Sequence, residues 1–257
     1  MKKFFTLASL MALALASCVN EEPQGEANEK GNVVFDLTVS NEVELTRANL
    51  SCTTPAAEDF VLKIEGTDNA FSQEYASITD FADVEEGYLH YGSYKVTATA
   101  GDIAEEGYDK ATFVGTQEFA VAARKQTNVE ITATIANALV QVVTTENFRN
   151  YFVGGHSLEL TTAAGNKFDV SAQSEPLFIA PGEFKVNGTA TKQPNQSGVE
   201  GAVITLPEYK KESAAAQTYY TVKFDVKDAG GAKLVISLNE ELVEEIDIDQ
   251  ELNDYAK

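Results

Sequence analysis

The sequence predicts an all-β protein built as two tandem antiparallel β-sandwich domains. Three observations carry that expectation: a repeat at domain spacing, strand-like alternation in both copies, and turn residues between many short apolar runs. Gly92-Ser93-Tyr94-Lys95-Val96-Thr97-Ala98-Thr99-Ala100 returns as Gly182-Glu183-Phe184-Lys185-Val186-Asn187-Gly188-Thr189-Ala190, and Gln126-Thr127 returns as Gln217-Thr218. The first pair of copies is 90 residues apart (92 to 182). That is longer than a solenoid repeat and close to a domain length, so it reads as a duplicated module.

The N-terminus comes first. Met1-Lys2-Lys3 precedes an apolar run from Phe4 to Ala16, broken only by Thr6 and Ser9. A basic head before a short apolar run has the shape of a secretory signal peptide, and the run is too short for a spanning helix. It ends in Leu15-Ala16-Ser17-Cys18, which resembles a bacterial lipobox. The resemblance implies cleavage after Ser17 and a diacylglyceryl thioether on Cys18; the alternative is ordinary secretory cleavage beside an incidental cysteine. Several acyl chains on one cysteine make a stable anchor where one chain is marginal. The expected layout is thus a signal peptide at 1–17, and the lipidated Cys18 with a polar tether at 18–30. Val19-Asn20-Glu21-Glu22 resembles the acidic surface-export signal of Bacteroidetes lipoproteins, although a solvated tether would have the same composition. Together these imply a lipid-anchored protein of the cell outer membrane, facing outwards.

Residues 31–137 form the first expected domain and 138–257 the second. In the first, strands are expected near 33–39, 60–64, 88–99 and 113–121, before the run from Gln126. There Val129, Ile131, Ala133 and Ile135 alternate with Asn128, Glu130, Thr132 and Thr134, the period of a half-buried strand. The boundary falls near Asn137, where that strand runs straight into Leu139-Val140-Gln141-Val142-Val143. The second domain offers strands near 139–144, 157–161, 176–187, 202–206, 233–238 and 243–249. Its own alternating strand sets Tyr220, Val222, Phe224 and Val226 against Thr221, Lys223, Asp225 and Lys227. Gly101-Asp102, Gly154-Gly155, Ala164-Gly165-Asn166, Pro181-Gly182 and Gly230-Gly231 supply turn chemistry between them. Many short strands separated by such turns indicate sandwiches. No stretch sustains a helical period, and only 78–85 and the region around 239–245 suit a short turn of helix.

The formal net charge is −21, from 40 Asp and Glu against 19 Lys and Arg. Such a surface argues against nucleic acid and other polyphosphate partners. With Cys18 lipidated, Cys52 has no intramolecular partner, so no disulfide framework is expected. Only His90 and His156 are of the residue type that serves as a proton carrier near neutral pH; His90 falls in an expected strand, His156 after Gly154-Gly155 in an expected loop, and neither has a metal-ligand partner at useful spacing. No nucleophile elbow, phosphate loop or dinucleotide fingerprint is present, and no cofactor is expected.

Acids occur in runs: Asp80, Asp83, Glu85 and Glu86, then Glu240, Glu241, Glu244, Glu245, Asp247, Asp249 and Glu251. A glycosidase needs two acids converging across a cleft, one of them in apolar surroundings, and runs of neighbours read instead as solvated faces. Asp247, Asp249 and Glu251 project to one side of a strand and form a candidate calcium site, without the glycine turn of a true calcium loop. Glycan contact calls for aromatic platforms. The chain has no Trp. Tyr88 and Tyr94 would share a strand face, with Tyr91 on the other, and are the candidate glycan contacts; Tyr219-Tyr220 is a second pair.

The order Gly92-Ser93-Tyr94-Lys95-Val96-Thr97-Ala98, Phe113-Val114-Gly115-Thr116-Gln117-Glu118-Phe119 and Ile135-Ala136-Asn137-Ala138-Leu139-Val140 resembles a Bacteroidetes surface lipoprotein family. Its members carry a domain of unknown function and are labelled fimbrillin-like or cell-adhesion proteins. The resemblance spans about residues 31–250, and it implies tandem transthyretin-like or immunoglobulin-like sandwiches with no catalytic residues. It also bears on Leu45-Thr46-Arg47-Ala48, because fimbrillins of this kind are cut after an arginine that follows the first strand. The cut removes the lipidated strand and opens a groove for a neighbour's strand. Arg47 is the candidate processing site; the alternative is a solvent-facing arginine in a loop. The implied partners are the outer membrane, other fimbrial subunits, and a host surface or glycan. The leading expectation is a non-catalytic protein of adhesion or fimbria-like assembly. A glycan-binding accessory lipoprotein of a polysaccharide-uptake system is the first alternative, and a hydrolase the second.

Overall fold

The computed structural model describes residues 29–43, 52–172, 175–192, 201–228 and 232–247. The first half contributes β1 (Lys30–Ser40), β2 (Val61–Gly66), β3 (Ser72–Tyr75), helix α1 (Ile78–Val84), β4 (Tyr88–His90), β5 (Gly92–Ala100), β6 (Phe113–Val121) and β7 (Gln126–Ile135). The second contributes β8 (Ala138–Thr144), α2 (Glu146–Tyr151), β9 (His156–Thr162), β10 (Lys167–Asp169), β11 (Leu177–Ile179), β12 (Gly182–Thr191), β13 (Val203–Ala214), β14 (Tyr219–Asp228), β15 (Ala232–Leu238) and β16 (Glu241–Asp247).

Strand order makes the duplication visible. The first half forms one curled sheet in the order β3-β2-β5-β6-β7-β1-β4. Only two registered pairs, Phe113 with Ile135 and Val114 with Thr134, join β6 to β7, so the sheet folds over at that corner into two layers. The second half has separate sheets, β10-β9-β12-β13 and β11-β8-β14-β15-β16. Read from β10 to β13 and on through β14, β8 and β11, it repeats the first half strand for strand. The difference is that β14 gives its remaining edge to β15, which leads to the hairpin partner β16. Each half also contains one parallel pair within its otherwise antiparallel ladders. β1 runs alongside β7 from Asn32–Gln126 to Ser40–Thr134, and β8 alongside β14 from Leu139–Tyr219 to Thr144–Phe224. Alternation along a strand reveals which face is buried and says nothing of the direction of its neighbour.

The repeated Gly-x-aromatic-Lys-Val segment now has a physical meaning. Tyr94, Val96, Ala98 and Ala100 of β5 are buried while Ser93, Lys95, Thr97 and Thr99 between them are half-exposed. In β12 the matching Phe184 and Val186 are buried and Lys185 faces outwards. The leading glycines, Gly92 and Gly182, turn the chain from one layer to the other with φ of 155° and 152°, where a side chain is strongly disfavoured. The expected strands at 88–99 and 176–187 therefore each divide. β4 pairs with β1, whereas β5 pairs with β2 and β6; β11 pairs with β8, whereas β12 pairs with β9 and β13.

Two apolar cores fill the halves. The first is built on Phe35, Leu62, Ile64, Phe81, Val96 and Ile131, and it also takes in Leu139, Phe178 and Tyr219 from the second half. The second core gathers Val140, Phe148, Leu160, Phe184, Val222 and Phe224, with Tyr108 of the first half packed against it. Tyr219 and Tyr220, adjacent in β14, point to opposite faces and so enter different cores.

The expected helical turn at 78–85 is α1, whose Ser77 hydroxyl caps the Asp80 amide at 3.0 Å. The region around 239–245 is a correction: Asn239 and Glu240, with φ of 49° and 71°, form the tight turn into strand β16. Two positive-φ residues at a hairpin tip match the right-handed twist of the flanking strands. The second helix is instead α2, capped by Thr145, which accepts from the Phe148 amide at 3.1 Å. His156 opens β9, where a loop was expected.

Candidate functional site

β1 is the element on which the candidate processing site depends. Its Val33 and Phe35 point into the first core, and Phe35 meets Phe81 and Phe119 edge-on at centroid distances of 5.1 and 5.7 Å. Full burial of each such side chain is worth about 1.5–3 kcal/mol. Both edges of the strand are occupied: nine registered pairs to β7 and three to β4. Further bonds secure its beginning. The Val33 amide donates to Gly87 O at 2.7 Å and the Asn32 amide to Lys125 O at 2.9 Å. The Asn32 side chain also donates to Gly87 O, and Arg124 pairs with Glu29. β1 is thus an interior strand, yet it precedes every other strand among the described residues, so its excision would leave β2 to β7 covalently continuous. Arg47, seven residues beyond the end of β1 at Ser40, lies outside the described residues, as do Cys18 and the segment 1–17 expected to be a signal peptide.

The candidate glycan pair is not brought together. Tyr88 lies on β4 and is 43% exposed, whereas Tyr94 lies on β5 and is 2% exposed. The Tyr94 ring stacks on Phe119 at 5.7 Å and meets Phe71 edge-on, while its hydroxyl donates to His90 O at 2.9 Å. Burial pushes its phenol above the usual value. A shared face requires one continuous strand from Tyr88 to Tyr94, and the turn at Gly92 interrupts it. Tyr219 and Tyr220 are also interior. The Tyr219 hydroxyl donates to Gln141 Oε1 at 2.9 Å, and that of Tyr220 accepts from the Ala215 amide at 3.0 Å. Tyr88 keeps company with amides instead. It stands opposite Asn32, which stands opposite Gln126, and Val34 stands opposite Asn128 in the next row of the same face.

The acidic runs have local duties. Asp80 accepts from the Ala76 amide at 2.8 Å, and Glu85 accepts from the Tyr75 hydroxyl at 3.0 Å. Burial, with this bond to Glu85, drives the Tyr75 phenol far above its usual range. Glu245 pairs with Lys233 at 2.7 Å, which lowers its carboxyl. Among the described residues no three His, Cys, Asp or Glu side chains gather as metal ligands. Asp247 ends β16, while its side chain, Asp249 and Glu251 lie outside the described residues. Cys52 is half-buried, and burial together with the charge of Asp109 raises its thiol, the opposite of what a nucleophile needs. The ring of His156 sits edge-on to Phe148 at 5.2 Å with Nε2 3.0 Å from Ser171 O.

Sequence reasoning missed one carboxylate of consequence. Glu106, between β5 and β6, accepts from Thr162 Oγ1 at 2.6 Å, Asn166 Nδ2 at 2.8 Å and the Ala180 amide at 2.9 Å, all in the second half.

The family model described as "Domain of unknown function (DUF4493)" matches residues 29–254. The chain belongs to that family. Among solved structures it resembles a candidate cell adhesion protein from Bacteroides eggerthii, at 12% identity over 86% of this chain and 94% of that one, with a TM-score of 0.44. It also resembles a fimbrial assembly protein from Parabacteroides distasonis, at 11% identity over 83% and 97%, TM-score 0.42. A third likeness is to a candidate polysaccharide-binding protein from Bacteroides thetaiotaomicron, at 9% identity over 83% and 98%, TM-score 0.40. A comparison with curated proteins finds no match.

Proposed function

We propose that this chain is a non-catalytic surface lipoprotein, anchored through Cys18 on the outside of the outer membrane, that acts in adhesion or fimbria-like assembly. The observation that carries the reading is the position of β1: first in the chain, interior in the sheet, and followed within a few residues by Arg47. Cleavage there would discard the anchor and β1 together. It would leave an unfilled lane between β7 and β4, with apolar sockets where Val33 and Phe35 now sit. An extended segment of a neighbouring subunit fits such a lane, because backbone hydrogen bonds supply affinity and alternate side chains supply selection. Asp80, Glu85 and Glu245 of the acidic runs are engaged by a backbone amide, a tyrosine hydroxyl and a lysine, which supports a role without catalysis. The test is limited trypsin digestion of the mature protein, with mass analysis and size exclusion of the product. A single cut after Arg47 followed by larger assemblies is expected, and Arg47→Ala should block both. Resistance at Arg47 with a monomeric product would remove strand exchange from the reading.

A second reading, glycan binding, is favoured by Tyr88 alone: an exposed ring in register with Asn32 and Gln126, one row from Asn128. Sugar C–H faces stack on such rings. A glycan array with wild type and Tyr88→Ala tests it, and a signal unchanged by the substitution would count against this face.

A further inference from the structure

We propose that Glu106 is the pin of a rigid joint through which the two halves behave as one mechanical and cooperative body, whatever the chain binds. A single carboxylate on the 101–112 connection of the first half ties three separate segments of the second. Oε2 takes the Thr162 hydroxyl at the end of β9 and the Asn166 amide in the turn to β10; Oε1 takes the Ala180 amide between β11 and β12. All three donors are uncharged, and the bonds are short and charge-assisted. The pin is surrounded by supporting contacts. Gly107 and Phe178 exchange backbone hydrogen bonds at 2.9 and 3.0 Å as an isolated bridge. Tyr108 Oη donates to Asp169 O at 3.3 Å while its ring packs on the second core.

The opposite traffic is equally firm. Leu139, Phe178 and Tyr219 of the second half are buried in the first core. At the crossover Asn137 Oδ1 accepts from the Thr112 amide at 2.6 Å, and Asn137 O accepts from the Gln217 amide at 2.8 Å. Each half therefore completes the interior of the other, unlike two beads on a linker, for which relative motion is the default. A carboxylate is the group this geometry requires. It presents two acceptor oxygens to three donors, whereas an amide of the same shape would turn a donor toward one of them.

The experiment is Glu106→Gln in the full mature chain, read by amide hydrogen exchange and by calorimetry. Exchange at Ala180, Gly107 and Phe178 should accelerate by about tenfold or more, as expected of local opening, while Val96 and Val186 deep in each half keep their wild-type protection. The single calorimetric transition expected of the wild type should separate into two. Unchanged exchange at the joint, or equal acceleration throughout both halves, would overturn the proposal. Thr162→Val with Asn166→Ala removes two donors from the other side and leaves Glu106 in place. It should give the same pattern, and it decides the matter if Glu106→Gln does not fold.

Discussion

Gly92 and Gly182 occupy equivalent corners of the two halves, with φ of 155° and 152°, and each sends the following strand into the opposite layer. A Cβ on Gly92 would lie 2.9 Å from Asn69 Nδ2, and one on Gly182 would lie 3.3 Å from the Ala163 Cβ. Gly92→Ala and Gly182→Ala should each destabilise the protein by about 1–3 kcal/mol through backbone strain, with Gly92 the worse of the two. Urea unfolding midpoints of the two variants check both size and order.

Phe35 provides a measure of what β1 contributes. Phe35→Ala removes the contacts to Phe81 and Phe119 and should cost about 3–5 kcal/mol. Val34→Thr, on the exposed face of the same strand, should stay within about 0.5 kcal/mol. Denaturant titration of both variants separates the two faces.

Tyr88 and Tyr94 should behave oppositely. Tyr94→Ala empties a core position and should cost about 3–5 kcal/mol, by analogy with other buried aromatic truncations. Tyr88→Ala should leave stability within about 0.5 kcal/mol, so that any loss of binding it causes can be attributed to the surface. Thermal melts of the two variants provide the check.

Acid should loosen the Gly92 corner. Both carboxylate oxygens of Asp68 accept from the Ser93 amide, at 3.1 and 3.0 Å. That bond holds the carboxyl below its ordinary value of 3.8. A lowered folded value means that the contribution is fully present above the unfolded value and disappears as pH falls through the folded one. Asp169, lowered by the hydroxyl and amide of Ser171, follows the same sign. The gap in urea midpoint between wild type and Asp68→Asn should therefore be constant above about pH 5 and close below about pH 4. A gap that persisted at lower pH would show that the Ser93 bond does not depend on charge.

The residues themselves explain how much of this was legible in advance. β7 could be read because it is long and its side chains sort by period two. β3 and β10, four and three residues long, are too short to express any period. The break at Gly92 is marked only by a change of phase: the buried residue before it is the odd-numbered Leu89, and those after it are the even-numbered Tyr94 and Val96. α2 was announced only by Thr145, whose capping role needs the helix behind it to be recognised. Glu106 was out of reach altogether: its partners stand 56, 60 and 74 residues away, and no local pattern marks a carboxylate whose donors arrive from another half of the fold. Tyr88 and Tyr94 part company, one exposed and one buried, because face assignment holds only as far as the strand does.

Tyr219 and Tyr220 sit side by side in β14 and serve different interiors. The pairing of β14 with β8 and β15 sets the phase of both. A slip of one residue in that register would turn each ring to the wrong side and disturb two interiors in a single event.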